Sequence, residues 1–175
     1  MIDMETIERA AAFAAGAHYG VGQVRKYTGE PYINHPAAVA NLVMETEGCT
    51  TEMAAAALLH DTVEDTEVPI GLIEEIFGET VAEYVGYLTE TSKEEFPDMN
   101  RKARKERDAA RLAAAPPEVQ TIKYADFIDN TSSIVERDPE FAKVYLAEKA
   151  MMLEVMVDGD PVLRDVAMKC TEEAG

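Results

Sequence analysis

The chain has 175 residues, 47% of them hydrophobic, which is enough for one domain with its own core. Acidic residues outnumber basic ones 34 to 16, and the net charge of −18 predicts no nucleic-acid partner and no anionic membrane surface as a partner. No run of apolar residues approaches the roughly 18 that a membrane span needs, and the N-terminus is acidic where a signal peptide would be basic. The two cysteines, Cys49 and Cys170, form no C-x-x-C pair. These features favour a cytoplasmic protein with free thiols.

Apolar residues recur at helical spacing along most of the chain, and no stretch alternates for long enough to predict a strand. The first predicted helix covers residues 4–18, and a loop punctuated by Gly29 and Pro31 then leads to Pro36, which opens a second helix to about Thr46. Later helices are predicted over 53–59, 70–78, 81–89, 100–114, 117–130, 139–156 and 160–170. The prediction is an all-α bundle of eight to ten helices in a single domain, residues 1–175.

One stretch, residues 60–65, places an imidazole and three carboxylates in six consecutive positions directly after an apolar helical run. Placing His60 and Asp61 beside buried leucines is costly unless something compensates them. A divalent metal ion is the obvious compensation, because neutral imidazole and carboxylate are both good ligands for Mn, Fe or Zn. Glu64 follows His60 by four positions and Asp65 follows Asp61 by four. In a helix each pair shares a face, so a second pair of acids is aimed into the same space.

Two other segments offer ligand-type residues. His35 lies at the start of the helix that Pro36 opens, on a well-fixed backbone. Asp126 stands among apolar residues of the helix from Pro117, where burying an acid is as unfavourable as burying the His60–Asp61 pair. Asn130, four residues later, lies on the same face of this helix. Four ligands of the N₂O₂ type would leave positions open for water and substrate on a six-coordinate ion. The predicted metal ligands are His35, His60, Asp61 and Asp126.

Three motifs occur in order along the chain: R-K-x-x-G-x-P-Y-x-x-H-P at 25–36, L-L-H-D-x-x-E-D-T at 58–66, and I-K-x-A-D-x-x-x-N at 122–130. In this register they resemble the hydrolase domain of the RelA/SpoT family, and more narrowly the stand-alone small alarmone hydrolases of the metazoan SpoT-like kind. These proteins belong to the HD-domain metal-dependent phosphohydrolases. We expect only the hydrolase half here, without a synthetase or regulatory domain.

The resemblance implies an all-α HD-domain bundle and a Mn²⁺ ion on the four ligands named above, with another divalent metal left open. It implies hydrolysis of the 3′-pyrophosphate of ppGpp or pppGpp, giving GDP or GTP and pyrophosphate. Glu64 and Asp65 would be the catalytic acid/base pair: Glu64 orients or deprotonates the metal-bound water, and Asp65 assists the leaving oxygen. Arg25, Lys26 and Asn130 would line the substrate site, and the two cations would contact phosphate.

The chain departs from the family just after Asp126. Typical members read A-D-R/K-L-x-N, whereas Phe127 stands here at the basic position and an extra acid, Asp129, precedes Asn130. This departure leaves open another phosphorylated nucleotide, such as NADPH, as the substrate of an HD-type phosphatase. A non-catalytic nucleotide-sensing domain is the alternative from a different class, and the presence of both catalytic acids disfavours it. A homo-oligomer is left open.

Three further features have plainer interpretations. His18 matches no ligand position, and we predict a structural residue or a surface group. The basic run 101–107 is predicted to be a solvated helix face, rather than a lid that reaches substrate phosphates, because acids interrupt it. Tyr32 either holds its loop or stacks on a base, and the sequence does not choose between the two.

Overall fold

Helices make up the regular structure of residues 1–172, the part of the chain that the computed structural model describes. Nine of these helices have eight residues or more, and two are single turns of four residues. The only strand-like pairing within residues 1–172 is an isolated antiparallel bridge between Val24 and Pro31. The predicted all-α fold is confirmed. In the same part of the chain, no helix combines the length and apolar character needed to cross a bilayer.

The chain divides into two compact units, the first ending at Thr89 and the second beginning at Glu90. The single domain over residues 1–175 stays a prediction, and its last three residues lie outside the described part. The helices of the first unit are α1 (Met4–Gly20), α2 (Asn34–Met44), α3 (Thr51–Leu59), α4 (Thr62–Asp65), α5 (Ile70–Phe77) and α6 (Glu79–Leu88). Those of the second unit are α7 (Ser92–Glu95), α8 (Arg101–Ala113), α9 (Pro117–Arg137), α10 (Pro139–Val155) and α11 (Pro161–Glu172).

Helix α3 is the centre of the first unit. Every residue from Met53 to Leu59 is buried, and α1, α2 and α6 all pack on this helix. The run contains no Gly or Pro, and its N-terminus is capped by Thr50, whose hydroxyl accepts a hydrogen bond of 3.2 Å from the Met53 amide. Because α3 is buried on every side, the residue that follows it, His60, also lies in the core.

Helix α9 runs seven residues beyond its predicted end at Asn130 and stops at Arg137. Three hydroxyl residues follow at 131–133, and such side chains often bond the backbone outside helices. Here the hydroxyl of Thr131 donates to the Phe127 carbonyl at 2.6 Å, which satisfies it within the helix. The helix ends instead where Pro139 begins α10, with Asp138 as the N-cap of that next helix.

The segment that links α10 to α11 is held tightly against α9. The Tyr124 hydroxyl donates to the Met156 carbonyl at 2.6 Å, and the Asp160 amide donates to the Thr121 hydroxyl at 2.8 Å. Between these two contacts, a Cβ built on Gly159 would lie 2.6 Å from Tyr124 Cε2 and 2.8 Å from the Thr121 backbone nitrogen. The close approach of the two backbones therefore requires glycine at this position.

We expect Gly159→Ala to lower the free energy of unfolding by about 1–3 kcal/mol, because the added methyl group must displace backbone and a packed ring. Urea denaturation of the full chain measures the change. Gly86→Ala is the matched control: Gly86 is exposed within α6, and its added Cβ would meet nothing within 4 Å. That variant should be more stable by up to about 1 kcal/mol, from helix propensity alone. Equal effects of the two substitutions would contradict the close approach at Gly159.

Candidate metal and catalytic site

Two buried imidazoles and one carboxylate meet in the first unit. His35 is the second residue of α2 and His60 is the C-cap of α3, and each is only 1% exposed. Their Nε2 atoms lie 3.6 Å and 3.1 Å, respectively, from the same oxygen, Oδ2 of Asp61. The two ring centroids are 5.1 Å apart, and one ligand nitrogen of each ring lies within 4.8 Å of the other. Three ligand-type side chains from two segments of the chain therefore face one small volume.

Hydrogen bonds orient two members of this cluster. Nδ1 of His60 lies 2.7 Å from the Ala57 carbonyl oxygen, which can only accept, so this nitrogen carries the proton in a neutral ring and Nε2 offers its lone pair. The Tyr32 hydroxyl donates to Asp61 Oδ2 at 2.6 Å. An imidazole fixed through Nδ1, with a carboxylate that is itself hydrogen-bonded, is the usual arrangement of a metal ligand set. Two imidazole nitrogens and a carboxylate oxygen suit a divalent transition ion.

The two predicted catalytic acids lie on α4, which follows the cluster directly. The Asp65 amide donates to the Asp61 carbonyl at 2.9 Å, so these two residues are one helical turn apart, as predicted. Glu64 and Asp65 are both exposed side chains, in contrast to the buried imidazoles. Desolvation by the surrounding protein raises the pKa of Asp65 above its ordinary value, and the nearby Asp61 adds to this, while a hydrogen bond from Gln23 opposes it.

His18 belongs to a hydrogen-bonded chain that ends on Asp65. Nδ1 of His18 lies 2.7 Å from Gln23 Oε1, and Gln23 Nε2 donates to Asp65 Oδ2 at 2.9 Å. The His18 ring is 1% exposed and lies 4.6 Å, centroid to centroid, from the ring of Tyr32. Of the two predictions for His18, the structural residue is therefore correct and the surface group is wrong. Its position continues the buried stripe of α1, four residues after Ala14, and this spacing was a signal of burial in the sequence.

Tyr32 and Gln23 are functional candidates that the sequence did not assign. Tyr32 donates a hydrogen bond to Asp61, whereas the sequence suggested that it either holds its loop or stacks on a base. Both residues, together with His18, line a cavity of about 840 Å³ in the first unit. Arg25 and Lys26 lie in the same loop: Arg25 is half-buried, whereas Lys26 is exposed and its Nζ bonds the Tyr27 hydroxyl at 3.2 Å. The loop is thus built beside the metal-ligand cluster, with polar groups and space for a ligand.

Asp126 and Asn130 lie in the second unit, paired with each other on α9. Asp126 is 6% exposed, and its two oxygens accept from Lys123 Nζ at 2.8 Å and from Asn130 Nδ2 at 2.7 Å. The prediction that this acid faces inward is confirmed. Phe127 is 2% exposed, and the Lys149 ammonium lies 4.3 Å from its ring centroid. The position that is basic in typical family members is therefore a buried aromatic ring covered by a lysine from α10.

The basic run at 101–107 is only in part a solvated face. Arg101 is exposed but bonds both oxygens of Glu148, at 2.6 Å and 3.0 Å. The Lys105 side chain is 14% exposed and pairs with Glu90 at 2.6 Å. Two of these cations are therefore structural links within the second unit.

Comparison with known proteins gives the same assignment as the three motifs. Residues 10–153 match the family model of the HD domain. A guanosine-3′,5′-bis(diphosphate) 3′-pyrophosphohydrolase of Aquifex aeolicus (strain VF5) is 38% identical over 130 residues, which are 74% of this chain and 18% of that protein. The guanosine-3′,5′-bis(diphosphate) 3′-pyrophosphohydrolase MESH1 of Danio rerio is 38% identical over 116 residues, 64% of this chain and 60% of that protein.

A solved structure, described as a metazoan orthologue of SpoT that hydrolyzes ppGpp and plays a role in starvation responses, has a similar fold. Its TM-score is 0.83 at 25% sequence identity, and the match covers 97% of this chain and 96% of that one. The chain spans less than a fifth of the length of the Aquifex relative and three fifths of the Danio one. The resemblance inferred from the motifs is confirmed, and because the family model covers most of its length, this protein belongs to the HD-domain family.

Proposed function

We propose that this protein is a metal-dependent pyrophosphohydrolase that removes the 3′-pyrophosphate of ppGpp and pppGpp in the cytoplasm. The observation that carries the proposal is the cluster in which His35 and His60 face one oxygen of Asp61, with Asp65 one helical turn away. The names of the relatives supply the nucleotide: both the Aquifex and the Danio proteins are called guanosine-3′,5′-bis(diphosphate) 3′-pyrophosphohydrolases.

His35, His60 and Asp61 would hold the metal ion, with Asp126 as the fourth ligand predicted from the sequence motif. We propose Mn²⁺, since nitrogen and carboxylate ligands suit it and the resemblance implies it. When bound, a divalent ion lowers the pKa of a coordinated water and offsets charge at phosphorus. Tyr32 and the Ala57 carbonyl keep the carboxylate and the His60 ring in the orientation that this requires.

Glu64 and Asp65 would handle the protons. Glu64 is exposed on α4 and would take the proton from the attacking water, while Asp65 would give one to the departing 3′-oxygen. The amide of Gln23 holds the Asp65 carboxylate in one orientation. Arg25, Lys26 and Asn130 would contact the substrate, and the two cations would offer local positive charge in a chain of net charge −18.

The buried Phe127 favours a second candidate substrate. A buried hydrophobic side chain stands at the family's basic position beside Asp126, and this departure from the family pattern is the reason to test another phosphorylated nucleotide, such as NADPH. To separate the candidates, the purified chain with Mn²⁺ is offered ppGpp, pppGpp and NADPH, and released products are identified. Pyrophosphate from ppGpp is the expected result. Orthophosphate from NADPH would favour the second substrate, and tight nucleotide binding without any release would identify a sensor and overturn the proposal.

We expect Gln23→Leu to lower kcat for ppGpp by about 10- to 100-fold, the usual effect of removing a partner that orients a catalytic group. The change keeps the side-chain size and removes the hydrogen bonds to His18 and Asp65. Steady-state kinetics at saturating Mn²⁺ give the number. Val21→Leu, at an exposed position outside the lining of the cavity, is the control and should leave kcat unchanged. An unchanged kcat in Gln23→Leu would show that Asp65 needs no such support.

A further inference from the structure

Helix α10 presents two polar side chains, Tyr145 and Lys149, to α9. Tyr145 and Lys149 are four residues apart, so they lie on one face of α10. Tyr145 is 7% exposed, and within residues 1–172 its hydroxyl has no hydrogen-bond partner. The Lys149 ammonium lies over two aromatic rings, 4.3 Å from the centroid of Phe127 and 4.8 Å from that of Tyr145. Cation–π contacts hold it there without neutralising its charge.

The carboxylates near Lys149 are already bound to other cations. Asp126 accepts from Lys123 at 2.8 Å, and Glu148 accepts from Arg101 at 2.6 Å. Among residues 1–172, Lys149 forms no hydrogen bond and no ion pair. Burial, and next the charge of Lys123, lower the pKa of Lys149 to about 7. A desolvated ammonium beside a second ammonium is unfavourable alone and becomes favourable when an anion joins it.

We propose that Lys149 and Tyr145 bind a phosphate group of the nucleotide substrate. The ammonium and the phenol hydroxyl are both donors to phosphate oxygens, and Lys123 adds positive charge 5.4 Å from the centroid of the Phe127 ring. Typical family members carry a base directly after the aspartate. In this chain Phe127 occupies that position, and Lys149 brings a cation over the same ring from the neighbouring helix. This inference rests on the proposed function for the identity of the substrate.

A purely structural lysine would behave differently from a ligand-binding one. Desolvation and the charge of Lys123 outweigh the attraction of Asp126 and Glu148 for the buried ammonium of Lys149, so its removal should not destabilise the fold. We expect Lys149→Met to keep or raise Tm, whereas a structural role would make Tm fall. The KM for ppGpp should rise by about 10- to 100-fold, the worth of a charge-assisted contact, with kcat changed by less than about threefold.

Two further variants make the kinetic test specific. Lys143→Met is the matched control, since Lys143 is exposed on the same helix and pairs only with Glu140, at 3.0 Å, in the described chain. It should leave KM unchanged. Phe127→Arg in the Lys149→Met background returns a base to the family position and should recover most of the lost affinity. An unchanged KM in Lys149→Met, or a fall in its Tm, would overturn the inference.

Calorimetric titration of the full chain with inorganic pyrophosphate separates this inference from the proposed function. We expect Lys149→Met to weaken pyrophosphate binding by about tenfold or more, while Lys143→Met binds as the wild type does. If the wild type fails to hydrolyse ppGpp but Lys149 still governs pyrophosphate binding, the proposed substrate is wrong and the phosphate site stands. If ppGpp is hydrolysed but Lys149→Met changes neither the affinity for pyrophosphate nor the KM for ppGpp, the phosphate site is wrong and the proposed function stands.

Discussion

Replacing Asp61 with asparagine is expected to lower kcat/KM for ppGpp by about a thousandfold or more and to weaken Mn²⁺ binding by at least about tenfold. The Nε2 atoms of His35 and His60 face the same oxygen of Asp61, and the substitution removes its charge while keeping its shape. A neutral amide is a far weaker ligand for a divalent ion than a carboxylate. The lost activity corresponds to several kcal/mol of transition-state stabilisation.

Two measurements check this result: steady-state kinetics over a range of Mn²⁺ concentrations, and calorimetric titration with Mn²⁺ after chelation of the purified protein. Asp129→Asn is the control, since it removes the same charge from a half-buried position on α9. It should change kcat/KM by less than about tenfold, as expected for a charge that makes no contact with the reacting groups. Wild-type activity that survives complete chelation would contradict the metal-dependent mechanism, whatever the variants do.

The cluster around Asp61 could be predicted from the sequence, because the cost of burying its polar side chains can be inferred from the residues next to them in the sequence. A histidine that directly follows the buried apolar run Met53–Leu59 is expected to be buried as well, and a buried polar group needs a partner. The structure places His60 where this argument requires it, at 1% exposure. The helix that Pro36 opens could be predicted on the same kind of local evidence, and so could the inward face of Asp126 on α9.

The supporting hydrogen bonds could not be predicted in the same way, since they join distant parts of the chain through loop geometry. Gln23 reaches Asp65 across 42 residues, and this depends on a loop that turns at Gly22 and Gly29, which have φ of 70° and 72°. The position of Lys149 over Phe127 likewise depends on how α10 packs on α9. The periodicity of apolar residues predicts which face of a helix is buried, but not which residues of two packed helices are in contact.

The double variant Glu64→Gln, Asp65→Asn is expected to abolish turnover while the metal stays bound. General acid and base groups each contribute about 10²- to 10⁴-fold to rate, so the loss of both should leave little activity. Both side chains are exposed, so the fold should be unaffected. The measurements are pyrophosphate release from ppGpp and Mn²⁺ binding by calorimetry. Glu67→Gln, at another exposed acid just after α4, is the control and should remain active. Turnover that survives the double change would disprove the assigned acid and base.

A double-mutant cycle shows whether Gln23 acts through Asp65 or by itself. If its amide serves only to orient the Asp65 carboxylate, Gln23→Leu should lower kcat in the wild type and have no further effect in Asp65→Asn. Additive losses would mean that Gln23 contributes independently, for example by contact with the substrate in the cavity that it lines. The same cycle with Glu64→Gln should be additive, because no hydrogen bond between Gln23 and Glu64 is part of the mechanism. Together the two cycles show whether the hydrogen bonds that link His18, Gln23 and Asp65 support proton transfer by Asp65 or by Glu64.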